Sequence, residues 1–111
     1  MHELAIADAV VSMLAEQTTG QRVSRVGMRI GHLRQVVPSS LRFSFALVAK
    51  NTPLDGAELE IEPVPAAVWC ATCAVESEPH AFPLVCDRCR TTDVRVTRGE
   101  EMLVDWIETE E

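Results

Sequence analysis

At 111 residues, with 47% hydrophobic and 24% charged side chains, the chain holds enough apolar material for one compact domain or a small domain carrying a smaller appendage, and too much for wholesale disorder. No apolar run approaches the roughly eighteen residues of a membrane span, and Met1-His2-Glu3-Leu4 lacks the basic start and apolar stretch of a secretory signal, so a cytoplasmic protein is expected. A formal net charge of −7 and 5% aromatic residues argue against phosphate-backbone binding and base stacking, so neither nucleic acid nor membrane is an expected partner.

The first predicted element is a helix. Leu4, Ala7, Val10, Val11 and Leu14 recur at helical spacing, Ile6, Ala9 and Met13 widen the stripe, and Thr18-Thr19-Gly20 stops it. From Val26 to Ile30 the period changes to two: Val26, Met28 and Ile30 share one face of a half-buried strand, and Arg25, Gly27, Arg29 and Gly31 the other. Pro38-Ser39-Ser40 reads as a helix start, with proline in the first turn and serine as a cap. Leu41, Phe45, Val48 and Ala49 then form the buried face of a second helix, which ends before Asn51-Thr52-Pro53.

Asp55-Gly56 is a turn, and Glu58-Leu59-Glu60-Ile61-Glu62 alternates as a second strand that Pro63 and Pro65 should break. Residues 66–98 carry all the cysteines and little helical pattern, with Val68, Trp69, Val75, Phe82, Leu84, Val85, Val94 and Val96 as a thin core. After Gly99, Met102, Leu103, Val104, Trp106 and Ile107 predict a last strand, apolar on both faces and therefore central or covered by helices. The expected fold is α+β: a small three-stranded sheet with two helices, formed by residues 1–65 and 99–111, plus an inserted four-cysteine, zinc-ribbon-like module over 66–98.

The four cysteines, Cys70, Cys73, Cys86 and Cys89, make two Cys-x-x-Cys pairs. Two disulfides are the alternative, but nothing marks the chain as secreted, and in a reducing compartment such pairs read as metal ligands. Four thiolates suit a closed structural zinc site, with iron as competitor. A site with four protein ligands keeps no open position to activate water. Its role is to fold a segment with too small a core, since structural zinc contributes ~10–16 kcal/mol at neutral pH. Neither pair is followed by the glycine that often relaxes such a turn.

Three histidines occur: His2, His32 and His80. His2 stands one residue from the terminal amine. The Met1 amine, the His2 amide nitrogen and the His2 imidazole can close fused chelate rings whose planar nitrogen donors suit Ni(II) or Cu(II). The bulk of His2 should also protect Met1 from removal.

These features occur together with Gly31-His32-Leu33-Arg34-Gln35-Val36-Val37-Pro38, Leu41-Arg42-Phe43-Ser44-Phe45 and Gly99-Glu100-Glu101-Met102. In that order, and over essentially the whole chain, the sequence resembles the HypA/HybF family of hydrogenase nickel-incorporation proteins. The resemblance implies a metallochaperone that binds Ni(II) as transient cargo through His2 with the Met1 amine, Glu3 belonging to the same motif. It implies structural Zn(2+) on Cys70, Cys73, Cys86 and Cys89. It further implies delivery of nickel to the [NiFe]-hydrogenase large-subunit precursor with the GTPase HypB, and in some members service to urease maturation. One departure is Cys86-Asp87-Arg88-Cys89, where many relatives carry proline after the first cysteine. The fourth nickel donor stays open between the amide or carboxylate of Glu3 and the imidazole of His80, while His32 is expected to be structural or at the surface.

An enzyme is not expected, because no nucleophile has a signalled histidine base and no glycine-rich phosphate loop is present. The rival is a zinc-ribbon interaction module, which would bind no nickel beyond its zinc.

Overall fold

The computed structural model describes residues 2–110. In chain order the elements are helix α1 (Glu3–Gln17), strand β1 (Arg22–Gly31), a 3-10 turn (His32–Arg34), helix α2 (Pro38–Val48), and strands β2 (Glu58–Val64), β3 (Ala67–Cys70), β4 (Val75–Ser77), β5 (Arg95–Arg98) and β6 (Met102–Glu110). They build two three-stranded sheets, ordered β2-β1-β6 and β4-β3-β5. The chain divides into two compact units: residues 1–29, 35–62 and 103–111, and residues 30–34 with 63–102.

In the first unit α1 and α2 pack on one another. α1 buries Ala7, Val10, Val11 and Leu14, as its spacing predicts, but its first turn is rotated from the expected face. Glu3 is buried there, whereas Leu4 is 54% and Met13 41% exposed. One residue step turns a helix by about 100°, so the face that takes Glu3 carries Leu4 to its edge. α2 buries Leu41, Ser44 and Phe45, with Pro38 in its first turn. The expected serine cap is not used: Val37 is the N-cap residue and no side chain of α2 caps it. The partner comes instead from α1, since the backbone N–H of Val37 donates to Oε2 of Glu3 at 3.1 Å.

β1 is longer than its alternating core suggests and begins at Arg22. Its Val23, Val26 and Met28 join the helices' apolar residues in the core, with Leu59 of β2 and Leu54 before it. The Arg42 guanidinium donates to the carbonyl of Leu59 at 3.2 Å and ties α2 to β2. β2 does not break at Pro63 but runs to Val64. As an edge strand, β2 tolerates a residue that lacks an N–H.

β6 corrects another expectation. It lies at the sheet edge, and β1 is the central strand. Trp106 remains 38% and Leu103 40% exposed. The second apolar face of β6 is met by Gly27 of β1: a Cβ there would collide with the Trp106 ring. The Arg25 guanidinium stacks on the same ring at 5.2 Å from its centroid, and it also pairs with Glu60 of β2 and Glu108 of β6. An arginine fork suits both a π face and carboxylates.

In the second unit β3 is central, paired antiparallel with β4 and β5. Its core is smaller than the sequence suggests. Ala66, Ala67, Val68, Cys70 and Cys86 are buried, while Phe82 is 65% exposed and contributes nothing to it. The 3-10 turn belongs to this unit because Gly31 N–H donates to the Glu101 carbonyl at 2.8 Å and Leu33 N–H to the Gly99 carbonyl at 2.9 Å. Gly99, at φ +114, has no room for a side chain against Ala66, and Gly31 none against Gly99. Only glycine allows that backbone approach.

Candidate metal centre

The β3–β4 hairpin and the turn at residues 87–89 bring the four cysteines together. Cys70 ends β3 opposite Val75 of β4, and Cys73 lies in the connecting turn. The other pair is shaped by Arg90 N–H donating to the Cys86 carbonyl at 2.9 Å and Cys86 N–H donating to the Thr91 carbonyl at 3.0 Å. Asp87 N–H donates to the Ser77 hydroxyl at 3.1 Å and fixes this turn to the end of β4.

The four sulfurs lie within 4.8 Å of one another, and the four cysteines are free thiols. Cys70 Sγ and Cys89 Sγ are 3.7 Å apart. Tetrahedral sulfurs at zinc–sulfur distance are separated by about 3.8 Å, so the donor set matches a four-thiolate ion without rearrangement of that pair. Backbone N–H groups point at the sulfurs, Cys73 N–H at Cys70 Sγ (3.5 Å) and Arg88 N–H at Cys86 Sγ (3.4 Å). Such donors favour thiolate over thiol.

The cluster is electrostatically uneven. The backbone N–H of Cys89, followed by that of Arg88, lowers the Cys86 thiol to about 6. Hydrogen bonding with the Cys89 sulfur, followed by desolvation and the other sulfurs, pushes Cys73 up to about 12. Without an ion the cluster favours charge on Cys86 and resists further charge on Cys73. A cation reverses that penalty, which couples metal binding to proton release.

Sequence reasoning missed one feature of this site, although the signal was present. The residue after each second cysteine is left-handed, Ala74 at φ 53 and Arg90 at φ 64. Glycine's absence after both pairs means that a side chain occupies a strained position in each turn.

The N-terminal residues lie in the other unit. His2 is exposed and precedes α1 at the N-cap position, where its carbonyl accepts from Ile6 N–H at 3.0 Å and its side chain makes no capping bond. Met1, the predicted amine donor, lies outside the described residues. Beside His2, the Val37 N–H holds the Glu3 carboxyl below the usual carboxylate range. His32, in the 3-10 turn, and His80, between β4 and Cys86, are both exposed. Among the described residues, the four cysteines are the one group of three or more metal-donor side chains gathered at ligand distance. No described helix is long and apolar enough to cross a membrane.

Comparison with known proteins adds the family. The family model described as "Hydrogenase/urease nickel incorporation, metallochaperone, hypA" matches residues 1–109. The chain is 41% identical over 115 residues to the hydrogenase maturation factor HypA of Chloroflexus aurantiacus, covering 98% of this chain and 99% of that one. It is 35% identical over 113 residues to the HypA of Acidithiobacillus ferrooxidans, covering 99% of this chain and all of that protein. The solution structure of the Ni metallochaperone HypA from Helicobacter pylori shares the fold at a TM-score of 0.65, with 24% identity and 97% of each chain covered. A whole-chain family match and relatives above a third identical, on a fold with a four-cysteine cluster, lead to one conclusion: the chain belongs to the HypA family.

Proposed function

We propose that this chain is a nickel metallochaperone that carries Ni(II) to the [NiFe]-hydrogenase large-subunit precursor together with the GTPase HypB, with urease maturation as a second destination. The observation that carries this reading is the family match over residues 1–109, which takes in both the Met1-His2-Glu3 start and the paired cysteines.

Two metal roles divide the molecule. Cys70, Cys73, Cys86 and Cys89 hold a structural Zn(2+), for which the sulfur spacing and thiolate-favouring N–H groups are suited. The zinc-binding cysteines belong to the unit of residues 30–34 with 63–102, and the nickel-binding N-terminus to the unit of residues 1–29, 35–62 and 103–111. Nickel is the cargo, held by the Met1 amine, the His2 amide nitrogen and the His2 imidazole. Exposure of His2, and the absence of a capping bond from its side chain, leave the imidazole to a ligand. Glu3 completes the same motif, with Oε2 committed to Val37. A chelate without a closed protein shell suits a carrier, because cargo must leave as well as bind. The protein performs no bond-making chemistry of its own in this reading.

The experiment is complementation. In a host lacking its own HypA, the wild-type gene should restore hydrogenase activity, and His2→Ala should fail to do so while the protein accumulates with its zinc. Full restoration by His2→Ala would overturn the nickel-carrier reading.

A further inference from the structure

The four thiols of the metal centre are unequally open to solvent. Cys70 and Cys86 are buried, at 1% and 0% exposure, Cys73 is half-buried, and Cys89 alone is exposed. Cys89 Sγ nevertheless lies 3.7 Å from Cys70 Sγ, across 19 positions of sequence, so the one exposed sulfur rests on a sulfur that solvent does not reach. We propose that Cys89 is a site of oxidation by peroxide, with Cys70 as its resolving thiol, and that the Cys70–Cys89 disulfide so formed releases the metal.

The chemistry rests on the zinc reading of the cluster, because a metal-bound cysteine is a thiolate, the nucleophilic form. The Cys89 thiolate attacks one oxygen of hydrogen peroxide: an S–O bond forms, the O–O bond breaks, and hydroxide leaves. The Cys70 thiolate then attacks the Cys89 sulfur: the S–S bond forms, the S–O bond breaks, and a second hydroxide leaves. The two sulfurs have given up two electrons, and peroxide has taken both.

Access and neighbours single out Cys89. It stands between Arg88 and Arg90, both exposed, and adjacent cations favour a reactive thiolate. Cys73, the next most open, stands between Thr72 and Ala74 and has no such neighbour. Cys70 ends β3, where pairing with Val75 fixes its backbone. The two sulfurs must close from 3.7 Å to about 2.05 Å, a movement the Cys89 side chain can make in its exposed turn.

Once those sulfurs are joined, Cys73 and Cys86 remain, half of the set a closed zinc site needs. The second unit then depends on its small core of Ala66, Ala67 and Val68, with one covalent tie between β3 and the turn at residues 87–89. Exchange with a reducing thiol returns both thiolates, so the change is reversible.

The test adds hydrogen peroxide in graded amounts to zinc-loaded, untagged full-length protein. Zinc release is followed with a chromogenic chelator, and the first disulfide is located by peptide mass mapping. Zinc should leave in step with a Cys70–Cys89 disulfide, and dithiothreitol with added zinc should restore the loaded protein. Cys89→His keeps a zinc ligand that forms no sulfenic acid, so release should slow by roughly tenfold, whereas Cys73→His should release zinc like the wild type. A first disulfide that joins any other pair, or unchanged release from Cys89→His, overturns the proposal. If a histidine variant loses zinc or fold, trapping of wild-type sulfenic acid with dimedone decides: a first adduct on Cys89 supports the site, and one on another cysteine or none overturns it. Metal analysis before peroxide tests the zinc reading by itself, so its failure is distinguishable from failure of the oxidation site.

Discussion

The Glu3 carboxylate accepts a hydrogen bond from the backbone N–H of Val37 at 3.1 Å, so the first residue of α1 caps the start of α2. The contact joins residues 34 positions apart and ties the first turn of α1, next to His2, to the start of α2.

This relationship separates two roles for Glu3. If the carboxylate acts by fixing the two helix starts, Glu3→Gln keeps an acceptor for Val37 and retains nickel affinity within a few-fold of wild type. Glu3→Ala leaves that N–H unpaired, lowers Tm and weakens nickel binding more than Glu3→Gln does. Nickel titration and thermal unfolding of both variants check this. Equal loss in the two would assign the carboxylate to the metal instead.

Removal of any one thiolate from the cluster should open the zinc site. Cys70→Ala, Cys73→Ala, Cys86→Ala and Cys89→Ala are each expected to lose tight zinc and to disorder residues near 66–98, since the buried apolar set there is small. Amide protection should persist in α1 and α2, whose packing on one another does not involve the cysteines. Zinc analysis with hydrogen exchange is the measurement, and stoichiometric zinc in any of the four variants contradicts the assignment.

The left-handed residues after each cysteine pair give a prediction of opposite sign. Ala74→Gly and Arg90→Gly place glycine at φ 53 and φ 64, where a Cβ is disfavoured. Relief of that strain, less the added freedom of the unfolded chain, should stabilise the zinc-loaded protein by about 0.5–1 kcal/mol per site. Urea unfolding of the zinc-loaded variants reads this directly, and a destabilised Ala74→Gly protein would show that the turn is not strained.

A pH dependence follows from Glu76. Arg98, at 2.9 Å, and the Thr97 hydroxyl, also at 2.9 Å, hold its carboxyl below the ordinary value of 4.5. A carboxyl lowered on folding stabilises the folded state fully above its ordinary value and loses that contribution as pH falls through the lowered one. The second unit should therefore lose stability below about pH 4.5, by a modest amount because the pair is exposed. Glu76→Gln should flatten this part of the acid profile of zinc-loaded protein, and an unchanged profile would remove the pair from the account.

The cysteine cluster was legible because its chemistry is local: two short pairs and no other thiol define the donor set. α1 is legible in type and extent, yet its first turn departs from its apolar spacing because the partner of Glu3 lies far away in sequence. The serine cap failed for the same reason: a tertiary acceptor replaced the local one. In β6 the apolar residues on both parities suggest two covered faces. Sequence alone carries no mark that Gly27 would leave room for Trp106. Pro63 broke a strand by rule, but an edge position made its missing donor harmless. The left-handed residues at Ala74 and Arg90 were visible only as an absence of glycine, which says what the turn lacks and not what conformation the substitutes adopt.

Nickel held by the Met1 amine with the His2 amide and imidazole makes the N-terminus itself the variable to test. Untagged protein, protein with an N-terminal extension and His2→Ala protein are each zinc-loaded and titrated with Ni(II) in the same buffer. The extension displaces the Met1 amine and the substitution removes the imidazole, so the tight nickel equivalent should vanish from both while zinc content and fold are retained. Because metal binding must displace the proton of the His2 amide, affinity of the untagged protein should rise with pH. Equal tight affinity in all three proteins would contradict the chelate.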